Sequence, residues 1–480
     1  MWPRHGRNRR TARAAAWVLA TVAAAAAGGS VNSTAGLAAA SPRTVKVNSV
    51  AALTAAVAAA TPGVRIELAT GAYALAAPLK VRASGTAAAP IVIAAAAGAK
   101  AQIRGTGGVE VTGSYVTFSG LSFLNTETFE VAAGTRHVRL TRNSFQLGPA
   151  AVNWVSVAGD DAEVDHNQFV GKRTAGVFLQ LTGPGTAGMA QRVRVHHNYF
   201  ADHTFRGSNG GEALRLGVSG RQKASARAIV EDNLFERVNG DQEAISVKSS
   251  DNVIRRNTIR DSTGTITLRH GGRNTVDSNL LIGGTTGIRV FGNDQTVINN
   301  VVQDSSRSRL IEVGGGDIRD DSGSSTRHEA ADRVLVAFNT VVVRTAWSTA
   351  LDVGDEDEAV HPDTITVADN VLVSAKRSLQ LERGTRVTWL GNLVSGAVAG
   401  ASTGYRAVDP KLAKDAHGVY RPAAGSPVLG AALGSFAKVS MDVDGQARPA
   451  AKRSVGADEP SAKTVTNRKP ATRLTVGVAA

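Results

Sequence analysis

From about residue 100 onward one short phrase recurs: an alternating apolar strand, an asparagine, then two or three apolar residues. It reads V-R-V-H-H-N-Y-F at Asn198, I-V-E-D-N-L-F at Asn233, V-I-R-R-N-T-I at Asn257 and T-V-D-S-N-L-L at Asn279. Further copies stand at Asn143, Asn167, Asn300, Asn339, Asn370 and Asn392. Successive asparagines are 21 to 39 residues apart; the shortest gaps cluster near 22, and the longer ones read as a coil carrying an inserted loop. That period, with short β-branched strands, predicts an all-β fold, a single-stranded right-handed parallel β-helix or solenoid. Asparagine tolerates the left-handed backbone of a bend, and stacked asparagine side chains can bond one another up a ladder. Leucine-rich repeats share the period, but their leucine signature is absent.

A solenoid grows along one axis by adding coils, so 480 residues need not mean several domains. Its open end exposes unpaired strand edges that must be covered. Ser49 to Ala60 reads as a short N-terminal capping helix, N-capped by Asn48 or Ser49 and stopped at Pro62-Gly63. The segment Asp409 to Asp458 loses the asparagine rhythm and is expected to close the other end. The predicted organisation is therefore an export signal over 1–40, the β-helix over 41–460 and a flexible C-terminal tail over 461–480. The signal assignment rests on Arg4, Arg7, Arg9, Arg10 and Arg13, an apolar run from Ala14 to Ala27, and Ala38-Ala39-Ala40 before Ser41. The Arg9-Arg10 pair leaves a twin-arginine route open beside the general one, and the apolar run is short for a membrane span. With no cysteine, stability outside the cell cannot rest on disulfides. Only 5% of residues are aromatic, which predicts a core of small aliphatic stacks. Without the five signal arginines the formal charge falls from +14 to +9. A basic exported chain favours an acidic partner. It carries no recognised nucleic-acid module, so an acidic polysaccharide fits better.

One stretch departs from the structural rhythm. N-G-G-E at Asn209, D-Q-E-A-I-S-V-K-S-S from Asp241 and L-R-H-G from Leu268 bring an amide, carboxylates, Lys248 and Arg269 to neighbouring coils. Lys248 and Arg269 are 21 residues apart, close to one coil. Asp241 and Glu243, two apart, would point the same way on a strand. Asn209 precedes Asp241 by one coil plus a loop, so Asn209, Asp241 and Glu243 are candidate ligands for a hard cation such as Ca²⁺. A solvated acidic patch, a surface lysine and a salt-bridged arginine are the structural alternatives. His270 points away from Arg269 if the strand continues, which suits packing. Arg215 and Arg289 are candidate carboxylate clamps or, equally, salt bridges within the solenoid.

Three segments then carry a resemblance: N-Y-F-A-D-H-T-F-R-G-S-N-G-G-E-A-L-R-L-G-V-S, E-A-I-S-V-K-S-S and L-R-H-G. Together they resemble the polysaccharide lyases of family six, which include alginate lyases and the chondroitinase B type. The similarity extends from G-T-A-A-A-P-I-V-I and G-L-S-F-L-N near the start to V-D-P-K-L, G-S-P-V-L and R-S-V-G-A-D-E near the end. It implies that 41–460 is a lyase domain, with Lys248 the Brønsted base and Arg269 the Brønsted acid of a β-elimination. It places Asn209, Asp241 and Glu243 on the ligands of one calcium ion, and Arg215, His270 and Arg289 among the substrate contacts. In two places the chain departs from the family: Asp241 stands where E-x-E is common, and a histidine expected near Gln295 is missing. The implied substrate is alginate, with chondroitin or dermatan sulfate as the alternative. A glycoside hydrolase on the same fold would need paired carboxylates for acid and base roles, leaving Lys248 and Arg269 idle. A non-catalytic polysaccharide-binding solenoid would share the charge and the export signal.

Overall fold

The computed structural model describes residues 43–205, 207, 209–320, 326–355, 357–460 and 467–480. The export signal expected over 1–40 lies outside them. Through the middle of the chain strands stack in parallel, each pairing with the strand three further along, so a coil contributes one strand to each of three faces. The first face is a 14-stranded sheet from Arg43–Val47 to Thr388–Leu390. The other two faces merge into a 25-stranded sheet, because the 11-residue strand Val371–Leu381 pairs with both. This is the predicted parallel β-helix. Among the described residues no helix is long and apolar enough to cross a membrane.

The asparagine ladder runs unbroken from Asn143 to Asn392. At each step the side-chain Nδ2 donates to the Oδ1 of the next asparagine, at 2.9–3.1 Å. That same Oδ1 also accepts the backbone N–H of the asparagine below it. The left-handed residue of each corner is not the asparagine but its predecessor: Arg142, His166, His197, Asp232, Arg256, Ser278, Asn299, Phe338 and Asp369 all have φ between 51° and 56°. The amide is selected because it can satisfy backbone groups inside a buried corner; the positive φ only turns the chain into position.

The core corrects the aliphatic expectation. Phe123, Phe145, Phe169, Phe200 and Phe235 form one column on the second face, with consecutive ring centroids 4.7–4.9 Å apart and planes within 9°. The column turns aliphatic at Ile259, Leu281 and Val302, its partners on the following coils. Few aromatics suffice because the solenoid places them in register.

At the N-terminal end, helix Val50–Ala58 is capped by Ser49, whose hydroxyl accepts the Ala52 N–H at 3.2 Å. It buries Leu53 and Val57 against the first coil, as expected of a cap. The C-terminal part behaves differently from expectation. After Asp409 the chain runs back along the flank of the solenoid, where Val428 and Val455 pack on Val371 and Leu393, and Val443 and Ala457 on Leu280 and Val301. Residues 467–480, expected as a loose tail, continue this strap. Val476 is buried with Tyr199 and Leu234, the Ala471 N–H bonds Thr258 Oγ1 at 2.9 Å, and the Gly477 N–H bonds the His197 carbonyl at 2.7 Å. The second-face strands carry outward apolar residues here, and the strap removes them from water.

Ion pairs tie neighbouring coils on the first face. Glu231, 4% exposed, holds Arg194 at 3.0 Å and both Arg255 and Arg256 at 2.7 Å. Burial pushes the Glu231 carboxyl up, but the three guanidiniums outweigh it and hold the group down at about 2. A depressed carboxyl stabilises the fold above its unfolded value and loses that contribution as pH falls through the folded one. Glu231→Gln should therefore cost about 2 kcal/mol at pH 7, since exposure of the arginines screens the pairs, and roughly half that at pH 3. Denaturant midpoints of both proteins at the two pH values check this.

Candidate active site

The site lies on the third face, on strands Leu214–Leu216, Glu243–Lys248, Thr265–His270 and Ile288–Val290. Ile245, Ile266 and Ile288 stack inward, as do Val247, Leu268 and Val290. Alternation then sends Arg215, Ser246, Thr267 and Arg289, aligned on successive strands, to the outer side. Lys248 and Arg269 each lie two residues beyond members of this row. They sit on adjacent strands of one face, but a register shift after Val247 sets Lys248 opposite His270 rather than Arg269.

Each cation reaches back one coil to a carboxylate. Lys248 Nζ lies 3.3 Å from Glu212 Oε1, and Arg269 NH1 donates to Glu243 Oε1 at 3.1 Å. Glu212, 1% exposed, belongs to the N-G-G-E motif but was not singled out as a site residue from the sequence. Burial pushes its carboxyl up, yet Arg215 and Lys248 more than offset this and hold it below the usual range. Its second oxygen, Oε2, has no hydrogen-bond partner among the described residues and lies 3.7 Å from Arg215. The second glycine of the motif has a steric reason: a Cβ on Gly211 would collide with the Gly240 carbonyl, so the loop can lie directly on the turn leading to Asp241.

Asp241 is not on the strand. It occupies the bend before Glu243, where one oxygen accepts the Gly211 N–H at 3.2 Å and the other the Glu243 N–H at 3.3 Å. Burial, with the nearby carboxylates of Glu212 and Glu243 behind it, pushes the Asp241 carboxyl up. Asn209 is exposed, two residues before Gly211. Three carboxylates thus gather at the coil edge beside Asn209, a hard-oxygen donor set with one oxygen unpartnered. Glu212, Asp241 and Glu243 do not bring three oxygens within 4.8 Å of one another. Among the described residues the sets that do are Glu163 with Asp165 and His196, and Asp442 with Asp444 and Asp458. The first of these is gripped by Arg139 and the second by Arg421.

The other predicted contacts divide. Arg215 NH2 donates to Gln180 Oε1 at 2.8 Å. Arg289 bonds Glu312 at 3.3 Å and lies over the Phe291 ring, 5.1 Å from its centroid. His270 is 1% exposed, with Nε2 3.3 Å from Ser219 Oγ. Gln295, where a histidine was expected, is a structural residue. Its Oε1 accepts the Asn274 N–H, and its Nε2 donates to the Gly271 and Phe291 carbonyls, extending a second amide ladder through Asn252 and Asn274. An imidazole does approach the site, but from His328 on an inserted loop, stacked on Phe291 at 4.3 Å. Burial, with Arg269 and Arg289 behind it, pushes that imidazole down to about 4. Nothing in the spacing of the repeat could announce it.

Residues 47–403 match the family model described as Chondroitinase B. Because this spans most of the chain, the protein belongs to that family, whose members are polysaccharide lyases of family six. Among solved structures it is similar to the family-six alginate lyase AlyGC, at 27% identity over 80% of this chain with a TM-score of 0.69. The match covers 55% of AlyGC, so the present chain spans little more than half of that enzyme. A mannuronic-acid-specific family-six lyase from human gut microbiota shares 24% identity over 76% of this chain and 91% of its own, with a TM-score of 0.65. Pedsa3628, a family-six lyase from Pseudopedobacter saltans, shares 17% identity over 91% and 99%, with a TM-score of 0.66. The latter two support the fold alone. No curated protein sequence matches the chain.

Proposed function

We propose that the protein is an exported lyase that cleaves a uronate polysaccharide, alginate in the first instance, by β-elimination. The observation that carries this reading is the pairing of Lys248 and Arg269 on adjacent strands of one face, each set against a buried carboxylate, next to an arginine-bearing row. Paired carboxylates for hydrolysis would leave both cations without a role. The 27% identity to an alginate lyase favours alginate over a sulfated galactosaminoglycan.

In this mechanism Lys248, as the neutral amine, takes the proton from C5 of the uronate. Arg269 faces the glycosidic oxygen on C4 and supplies its proton as the C4–O bond breaks. The C5–H electron pair becomes the C4–C5 double bond, leaving an unsaturated uronate at the new non-reducing end. Glu212 and Glu243 orient the Lys248 amine and the Arg269 guanidinium, while Arg215 and Arg289 offer charge to neighbouring sugar carboxylates. Asn209, Asp241 and Glu243, with Glu212 beside them, are the residues that would hold a calcium ion. Bound there, the ion would offset the negative charge that builds on the substrate carboxylate.

The assignment is tested by ultraviolet absorbance on alginate, its mannuronate- and guluronate-rich fractions and dermatan sulfate. Absorbance should rise on the uronate polymers; new reducing ends without absorbance would mean hydrolysis instead. Chelation should lower the rate at least tenfold, with recovery on adding calcium. Indifference to chelator would assign charge stabilisation to the fixed cations alone.

A further inference from the structure

The outer row of the third face does not stop at Arg289. It continues through Glu312 and Asp352 to Gln380, one residue per coil. Asp352 lies four strands beyond Ser246, which at about 4.8 Å per strand places it about 19 Å along the solenoid. One strand spacing is close to the advance of one pyranose in an extended chain, so this position is several sugars from Lys248. A cavity of about 330 Å³ opens here.

The charges around the cavity are unevenly used. Arg309 is consumed by three carboxylates, Asp352 at 2.7 Å, Asp355 at 3.0 Å and Glu382 at 3.0 Å. Arg377, on the cavity wall, donates to Gln380 and has no carboxylate partner among the described residues; nor has its exposed neighbour Lys376. Two cations therefore face the cavity with their charge available. Trp347 lies two residues before the wall residue Thr349, whose partner on the next strand is Arg377. It is 59% exposed, an unusual position for an indole, and its Nε1–H is held by the Ser306 carbonyl at 3.1 Å. A ring so tethered is a preformed apolar platform, low in the entropy cost that a free side chain would bring.

We propose that Trp347, Arg377 and Lys376 form a distal subsite that holds one uronate residue of the same polysaccharide several sugars from the bond cleaved. The C–H face of the pyranose packs on the indole and its carboxylate meets the guanidinium and ammonium. The row between Ser246 and Asp352 is the track that connects the two places. This deepens the lyase reading and rests on it. The subsite gives long chains an advantage that trisaccharides, too short to span four strands, do not receive.

Trp347→Ala and Arg377→Gln should each lower the polymer-over-trisaccharide ratio of kcat/KM about five- to tenfold, through KM rather than kcat. Trp347→Tyr, which keeps an aromatic face, should restore most of it. An unchanged ratio, or an equal loss on both substrates, would show that Trp347 only covers the turn at Ser306 and would overturn the subsite. The same variants are compared by calorimetric binding of long oligouronates to protein carrying Lys248→Ala. If the wild type eliminates no uronate polymer yet these substitutions still weaken long-chain binding, the lyase reading falls and the subsite stands. If neither turnover nor binding responds, the subsite falls.

Discussion

Alginate turnover by Lys248→Ala should fall about 10³-fold or more, with no unsaturated product in an assay of ordinary length. The amine is the candidate base on this face, and its nearest partner, Glu212 at 3.3 Å, is a carboxylate whose oxygen cannot reach as far outward. Arg269→Ala should lower kcat by a smaller factor, because the departing oxygen can take a proton from water once the C5 proton is gone. The fold should survive the first change with a modest loss of stability, since Arg215 still neutralises Glu212 at 3.7 Å. A circular dichroism spectrum and melting curve separate lost chemistry from lost structure. A variant that kept full activity would remove Lys248 from the reaction and with it the elimination mechanism.

The second large effect is expected in the ladder, far from any substrate. Asn257 is fully buried, and its side chain accepts the Asn233 N–H at 3.1 Å and Nδ2 at 2.9 Å. It donates to the Val230 carbonyl at 2.9 Å, the Arg255 carbonyl at 3.1 Å and Asn279 Oδ1 at 3.0 Å. Asn257→Ala leaves several of these groups without a partner in a dry corner, at about 1–3 kcal/mol each. The total, about 4–6 kcal/mol, is a large share of the 5–15 kcal/mol that stabilises a typical domain. Equilibrium denaturation measures it; a loss under about 1 kcal/mol would mean that water replaces the amide and that the ladder is ornamental to stability. Asn392, at the end of the column, accepts from Asn370 and donates to the Val367 and Gly404 carbonyls but meets no further asparagine, so its substitution should cost less.

Repeat and site differ in how far each was legible from residues alone. The asparagine spacing foretold the ladder residue by residue, because each corner meets the same hydrogen-bond requirement and one side chain satisfies it. The role given to the asparagine was half right: it carries the bonds, while Arg256 and its counterparts carry the positive φ. The phenylalanine column was hidden behind a low aromatic percentage, since composition averages over a chain whose stacking concentrates five rings in one file. At the site, spacing brought Lys248 and Arg269 to adjacent strands. It misplaced Asp241, whose turn geometry depends on the glycine-rich loop one coil below. It also passed over Glu212, whose importance comes from burial.

By itself, then, the order of residues determined what is local or periodic: the solenoid, its ladder, its helical cap and the coil-to-coil spacing of the candidate acid and base. These follow from interactions that recur every coil and are complete within two neighbours. Tertiary structure alone decided the register shift opposite His270, the arrival of His328 from an inserted loop, the tethered Trp347 and the return of the C-terminal strap along the flank. Each of these depends on chain segments that leave the repeat and come back. Where such a segment lands is set by the surface it buries, which no period in the sequence records.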